Sequence, residues 1–137
     1  MKTVYLDTNI FMDILTNRNL ENISIDEIKP FLETSSVYMS TLSVHIAYYV
    51  LKIKPNSDID KKVRNLLSLI NLVNLDALII NKALNSYKID FEDTLQYYSA
   101  ISEQCEYILT RDIKDFKKLK RNIPSEINIT MDLRTIN

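Results

Sequence analysis

Acidic side chains stand at three places in the chain, each beside a short hydrophobic run. Asp7 directly follows Thr3-Val4-Tyr5-Leu6, and Asp112 follows Tyr107-Ile108-Leu109-Thr110 after a single arginine, with Asp115 three residues on. Asp90, Glu92 and Asp93 open the segment that leads into the Tyr107 run. If the two runs are neighbouring strands, these carboxylates converge on one edge of a sheet. Two unit charges about 4 Å apart repel by roughly 4 kcal/mol at an effective dielectric near 20. A cluster of this kind persists by taking up protons or by holding a divalent cation. An all-oxygen ligand set suits Mg²⁺ or Mn²⁺ rather than Zn²⁺. A hard ion in a carboxylate cradle fits phosphodiester hydrolysis, where it activates water and offsets charge at phosphorus. Helix capping is the competing account. An Asp after a strand can cap the next helix, and Asp112, Asp115, Asp90, Glu92 and Asp93 could all complement a helix dipole. The coincidence of three such places favours chemistry.

The elements that would carry these groups follow from patterning. Thr3–Leu6 reads as a strand, and Ile10, Phe11, Ile14 and Leu15 recur at helical spacing after it. A helix is predicted from Ser24 to Glu33, with Ser24 and Glu27 spaced as a capping box. Ser36–Ser40 reads as a buried strand leading into a helix from about Ser43 to Lys52. Pro55-Asn56-Ser57-Asp58 breaks the pattern, and a helix with the apolar face Ile59, Val63, Leu66, Leu67 and Ile70 follows. Leu72–Leu75 is a candidate strand, Asp76 a cap for a helix carrying Leu78, Ile79, Ala83 and Leu84, and Phe91–Glu103 a further helix. Tyr107–Thr110 is a clear strand, Arg111–Leu119 a short helix, and Glu126–Thr130 a candidate edge strand. Strands alternating with helices predict an α/β fold, three layers α/β/α around a mostly parallel sheet. Ligands in such sheets bind beyond the carboxyl ends of the strands, where the acids stand.

Composition narrows the chemistry further. None of the 137 residues is glycine, against about ten at the usual 7%. That excludes the GxGxxG dinucleotide turn, the phosphate-binding P-loop, the GxSxG elbow and the EF-hand loop. Any handling of phosphate must use side chains and metal. Asn and Asp, which tolerate left-handed turns, are expected to take over where a glycine would serve, for instance at Asn56 and Asn122. The size suggests one domain over residues 1–137 with a real core. A net charge of −1 and a pI near 5.8 mean that any nucleic-acid contact must rest on a local patch. Cys105 is the single cysteine, so no disulfide framework exists and a reducing cytoplasm is the expected compartment. No apolar run is long enough to span a membrane.

These stretches resemble a known family. Val4-Tyr5-Leu6-Asp7-Thr8-Asn9-Ile10-Phe11 is similar to the opening motif of PIN domains, and Asp93-Thr94-Leu95-Gln96 through Ala100 to the third. Tyr107 to Phe116, a hydrophobic strand followed by Thr-Arg-Asp and Asp-Phe, is the most specific match, and Met39–Ser43 resembles the family in the middle of the chain. PIN domains of this size are commonly Mg²⁺-dependent ribonucleases, many of them toxins of toxin–antitoxin pairs such as the VapC group. The resemblance implies that Asp7, Asp93 and Asp112 hold Mg²⁺ or Mn²⁺, with Asp115 as a further catalytic acid beside them. Thr8, Asn9, Ser43 and Arg111 would position the substrate. It also implies RNA as substrate, an antitoxin protein as partner, and a homodimer. One position departs from the pattern. The family glutamate early in the helix after the second strand falls near Ile46, in Ser43-Val44-His45-Ile46-Ala47, where no acid stands.

Other residues have plainer accounts beside the functional ones. His45 could approach a phosphate, although a lone histidine near an apolar helix face is more often a satisfied buried group. Cys105 reads as a core or helix-end thiol. Tyr48, Tyr49, Tyr97 and Tyr98 could stack on bases, yet adjacent helical tyrosines usually put one ring in the core and one on its rim. Lys114, Lys117, Lys118, Lys120 and Arg121 are the densest basic run, either a path for an RNA backbone or a solvated helix face. Lys52, Lys54, Lys61, Lys62 and Arg64 are a more dispersed alternative. The leading expectation is a metal-dependent endoribonuclease, with Glu92 and Lys114 as auxiliary candidates. The alternative is a PIN fold without catalysis that binds RNA or a protein partner. A receiver- or dehalogenase-type phosphotransferase fits poorly, because Asp7-Thr8-Asn9 lacks a second aspartate two residues on.

Overall fold

The computed structural model describes residues 1–18 and 25–136. The chain runs β1 (Thr3–Leu6), α1 (Thr8–Thr16), α2 (Ile25–Thr34), β2 (Ser36–Ser40), α3 (Thr41–Leu51) and α4 (Asp58–Leu67). It continues β3 (Asn71–Val73), α5 (Ala77–Ser86), α6 (Phe91–Ser102), β4 (Tyr107–Leu109), α7 (Ile113–Asn122), β5 (Asn128–Thr130) and a closing 3₁₀ turn, Leu133–Thr135. The five strands lie in the order β3-β2-β1-β4-β5, and every pairing is parallel. β1 is therefore flanked by β2 and β4, and the Asp7 and Asp112 ends lie side by side, as the strand-end reading requires. Helices cover both faces, giving the expected three-layer α/β/α architecture.

Period-two alternation divides the sheet between two cores. Val4, Leu6, Val37, Met39 and Leu109 pack on one face against Ile10, Phe11 and Ile14 of α1, Phe31 of α2 and Val63 of α4. Tyr5, Tyr38 and Ile108 face the other way, toward Tyr97 and Ala100 of α6 and Phe116 of α7. Cys105 is buried in that second core, and burial pushes its thiol up to about 12. It is a packing residue, as the sequence suggested. A smaller cluster of Ile79, Ala83 and Leu95 joins α5 to α6.

Several boundaries move for local reasons. α3 begins at Thr41 rather than Ser43, because the Ser40 hydroxyl accepts from the Leu42 N–H (3.1 Å) and caps it. β3 is Asn71–Val73 rather than Leu72–Leu75, and Ile70 lies past the end of α4 instead of on its apolar face. Arg111 and Asp112 sit in the turn before α7, so that helix starts at Ile113 and runs on to Asn122. The capping box placed on Ser24 lies outside the described residues. Left-handed backbone falls at Asn17, Lys52, Asn56 and Gln104 (φ 55°, 51°, 63° and 54°). Asn56 fulfils the glycine-free expectation and Asn122, inside α7, does not. Asn17 and Lys52 close α1 and α3, their N–H groups bonding to Asp13 and Tyr48 carbonyls. Among the described residues no helix is long and apolar enough to cross a membrane.

Candidate active site

Asp7 leaves β1 and enters α1, with its backbone carbonyl accepting from Ile10 and Phe11 N–H groups (3.1 and 3.2 Å). Its carboxylate does not bond those deeper N–H groups. Oδ1 takes the N–H of Thr8 (2.9 Å) and Oδ2 the hydroxyl of Thr110 at the end of β4 (2.7 Å). Asp90 and Asp76 are different: each accepts from the N–H three residues on, Asp93 (2.8 Å) and Ile79 (2.9 Å). These two are helix caps. Asp112 precedes α7 but makes no side-chain cap bond; it accepts from the Asn9 amide (3.0 Å) instead. Capping therefore accounts for Asp90 and Asp76 and leaves Asp7 and Asp112 facing a cleft.

Asp93, in the first turn of α6, completes the group: carboxylate oxygens of Asp7, Asp93 and Asp112 come within 4.8 Å of one another. Asp7 and Asp93 are buried and Asp112 is exposed. Burial above all pushes Asp7 up to about 7, against the Thr110 and Thr8 hydrogen bonds and with help from the charges of Glu92 and Asp112. Burial also leads in raising Asp93 to about 8, followed by Asp90, Asp7, Glu92 and Asp112. Without a cation, the cluster holds protons near neutral pH. Asp90, Glu92 and Asp93 form a second such group within 4.8 Å. At that separation each ionised pair repels by about 3 kcal/mol at an effective dielectric near 20. That exceeds the roughly 0.3–1 kcal/mol a helix N-terminus returns to an acid. A donor set of carboxylate oxygens short of positive charge fits a hard divalent ion.

A buried polar floor lies beneath the acids. The Tyr5 hydroxyl accepts from the Ser40 N–H (3.2 Å) and donates to Gln96 Oε1. The Gln96 amide nitrogen then donates toward Thr8 Oγ1 (2.9 Å), Glu92 Oε1 (3.1 Å) and Ser43 Oγ (3.3 Å). The Thr8 and Ser43 hydroxyls are themselves 2.6 Å apart. Tyr5, Gln96 and Thr110 are the residues that the sequence reasoning missed. The available signal was Gln96 sharing a helical face with Glu92 and Asp93, a polar side chain between Leu95 and Tyr97.

A PIN-domain family model matches residues 4–122. The chain belongs to the PIN-domain family. It is 29% identical over 122 residues to Ribonuclease VapC1 of Aquifex aeolicus, covering 80% of this chain and 81% of that one. Among solved structures it resembles VapBC2 from Rickettsia felis bound to a promoter DNA fragment (TM-score 0.66, 19% identity, 95% of this chain and 99% of that one). It also resembles a toxin–antitoxin complex from Klebsiella pneumoniae (TM-score 0.60, 24% identity, 82% and 89%).

Within this PIN domain the cleft is lined by Asp7, Thr8, Asn9, Met12, Ile46, Glu92, Asp93 and Asp112. α3 thus presents Ile46 to it and no acid. Asp115 is exposed and stands outside the close trio, in an adjoining pocket with Asp90, Asp93 and Lys118. Ser43 is fully buried, so its hydroxyl supports Thr8 and Gln96 from below rather than meeting a ligand. His45 is exposed, not buried, and stacks on Tyr49 (centroids 6.3 Å apart) away from the cleft lining. Tyr97 is buried and Tyr98 partly so, while Tyr49 lies outside and Tyr48 half inside, the expected core-and-rim arrangement. Lys62 bonds the Ile14 carbonyl at the end of α1 (2.6 Å) and Arg64 pairs with Asp60 (3.4 Å), so the dispersed basic group is partly tied into the fold.

Arg111 turns to α1, where Nε and Nη2 donate to the buried Asp13 carboxylate (2.6 and 3.4 Å). With the arginine side chain 41% exposed, Arg111→Ala is expected to destabilise the domain by about 1–2 kcal/mol, less than a fully buried pair would cost. Urea unfolding measures this. A variant as stable as wild type would show that the Asp13 pair contributes little to the fold.

Proposed function

We propose that the chain is a metal-dependent endoribonuclease that cuts RNA phosphodiesters in the cytoplasm as the toxin of a toxin–antitoxin pair. The observation that carries this is the meeting of Asp7, Asp93 and Asp112 in one cleft at the carboxyl end of the sheet. These three would hold Mg²⁺ or Mn²⁺. The bound ion supplies an activated water and offsets the charge gathering on the phosphate. Thr110 and Thr8 hold the Asp7 carboxylate, and Asn9 holds that of Asp112. Asp115 acts from the margin, beside Asp93. Lys114 and Lys118, one turn apart on α7, offer positive charge to the RNA backbone near the cleft. The antitoxin partner is supported by the likeness to a toxin–antitoxin complex. Exposed Leu78, Leu84, Tyr87 and Ile89 leave apolar surface for protein contacts, with an antitoxin or in a homodimer.

Purified protein is expected to cleave single-stranded RNA with Mg²⁺ or Mn²⁺, to stop in excess EDTA, and to resume when the ion is restored. Cleavage undiminished in EDTA, or no cleavage of any RNA with either ion, overturns the proposal. Ile46 favours one other reading, a PIN fold that binds RNA or protein without cutting. Binding of RNA with no uptake of Mn²⁺ at millimolar concentration would establish that alternative.

A further inference from the structure

We infer that Glu92 is the fourth carboxylate of the ion-binding set, delivered from α6 where α3 offers only Ile46, and that Gln96 is the positioning residue that aims it. This rests on reading the cleft as a metal-dependent nuclease site. Glu92 lines the cleft with Asp7, Asp93 and Asp112, and its carboxylate lies within 4.8 Å of those of Asp90 and Asp93, in a group that meets the trio at Asp93. Met12 and Ile46, which also line the cleft, have no side-chain oxygen.

Helix capping does not explain Glu92. Asp90 already caps α6 through the Asp93 N–H. Asp90 is exposed and has its carboxylate engaged in that cap, whereas Glu92 caps nothing. Glu92 is instead half-buried, facing acids whose repulsion outweighs the dipole. It is held there by the Gln96 amide (3.1 Å). Gln96 has no exposed surface, and its oxygen is fixed by the Tyr5 hydroxyl. Its two N–H hydrogens face three acceptors, Glu92, Thr8 and Ser43. Keeping an acid in a repulsive cleft with a buried donor suits a site built to receive positive charge.

Mn²⁺ binding to the full chain, followed by electron paramagnetic resonance and calorimetry, tests this apart from activity. Glu92→Gln is expected to weaken Mn²⁺ binding about tenfold or more without lowering the melting temperature of the metal-free protein. Gln96→Leu should lose affinity in the wild type and almost none in the Glu92→Gln background, as for a residue acting through Glu92. Equal losses in both backgrounds would overturn that positioning role. If Glu92→Gln binds as tightly as wild type while Asp7→Asn does not bind, the role of Glu92 is refuted and the nuclease reading stands. Wild-type protein that takes up no Mn²⁺ at millimolar concentration overturns both.

Discussion

Asp7→Asn is expected to slow RNA cleavage about a thousandfold, since several kcal/mol of charge stabilisation by the ion depend on it and each 1.4 kcal/mol is tenfold. The same change should leave the fold intact. The asparagine oxygen can still accept from the Thr8 N–H, as Asp7 does at 2.9 Å. Thr110 can rotate its hydroxyl to accept from the new amide, while it continues to accept from the Asp112 N–H (2.9 Å). The variant also removes a buried acid whose ionisation the metal-free fold resists. At pH 8 without metal, Asp7→Asn should therefore melt above wild type. Cleavage of labelled RNA and thermal melting in EDTA make the pair of measurements. Activity within tenfold of wild type would remove Asp7 from the metal site.

The metal-free protein should lose stability as pH rises from about 5 to 8.5. In the folded state Asp7 titrates at about 7 and Asp93 at about 8, whereas an unfolded aspartate titrates near 3.9. Between these limits the native state binds more protons than the unfolded state, so stability falls with pH. The contribution is intact below about pH 4 and is lost as pH climbs through 7 and 8. Asp7 alone accounts for on the order of 4 kcal/mol from pH 4 upward, at about 1.4 kcal/mol per unit, of which roughly 3 kcal/mol falls between pH 5 and 8.5, or about 10 °C in melting temperature. Excess Mn²⁺ should reverse the loss at pH 8.5, since a ligand that binds only the native state stabilises it. At pH 5, where protons occupy the same oxygens, it should do little. A melting temperature in EDTA that is flat from pH 5 to 8.5 would show that the acids ionise freely and are not crowded as described.

The fold and the main acids were legible because their signals are local. β1 and β4 alternate side chains between two cores, and Asp7 and Asp112 follow those strands closely. Where the sequence misled, the deciding interaction was distant. Asp90 and Asp93 look alike as helix-start acids, and only the bond from the Asp93 N–H makes one a cap and the other a cleft residue. Arg111 resembles a phosphate ligand until Asp13, 98 positions away, engages it. Gln96 reads as an ordinary helix residue, since Tyr5 and Thr8 lie 91 and 88 positions back. His45 is exposed because of the phase of α3. With Ser43 and Ala47 on the buried face, the residue midway between them points out.

The strand order also governs when the cradle can exist during synthesis. The bond from Thr110 to Asp7 closes a span of 103 residues, and β1 stays unpaired on that side until β4 has been made. At about 5–20 residues per second, translation separates these strands by roughly 5–20 seconds. Asp7 is made early, but Asp93 and Asp112 join it only after α6 and β4 have emerged. No nascent chain that lacks β4 can gather the three acids, so the full set assembles only once the sheet has closed on that side of β1.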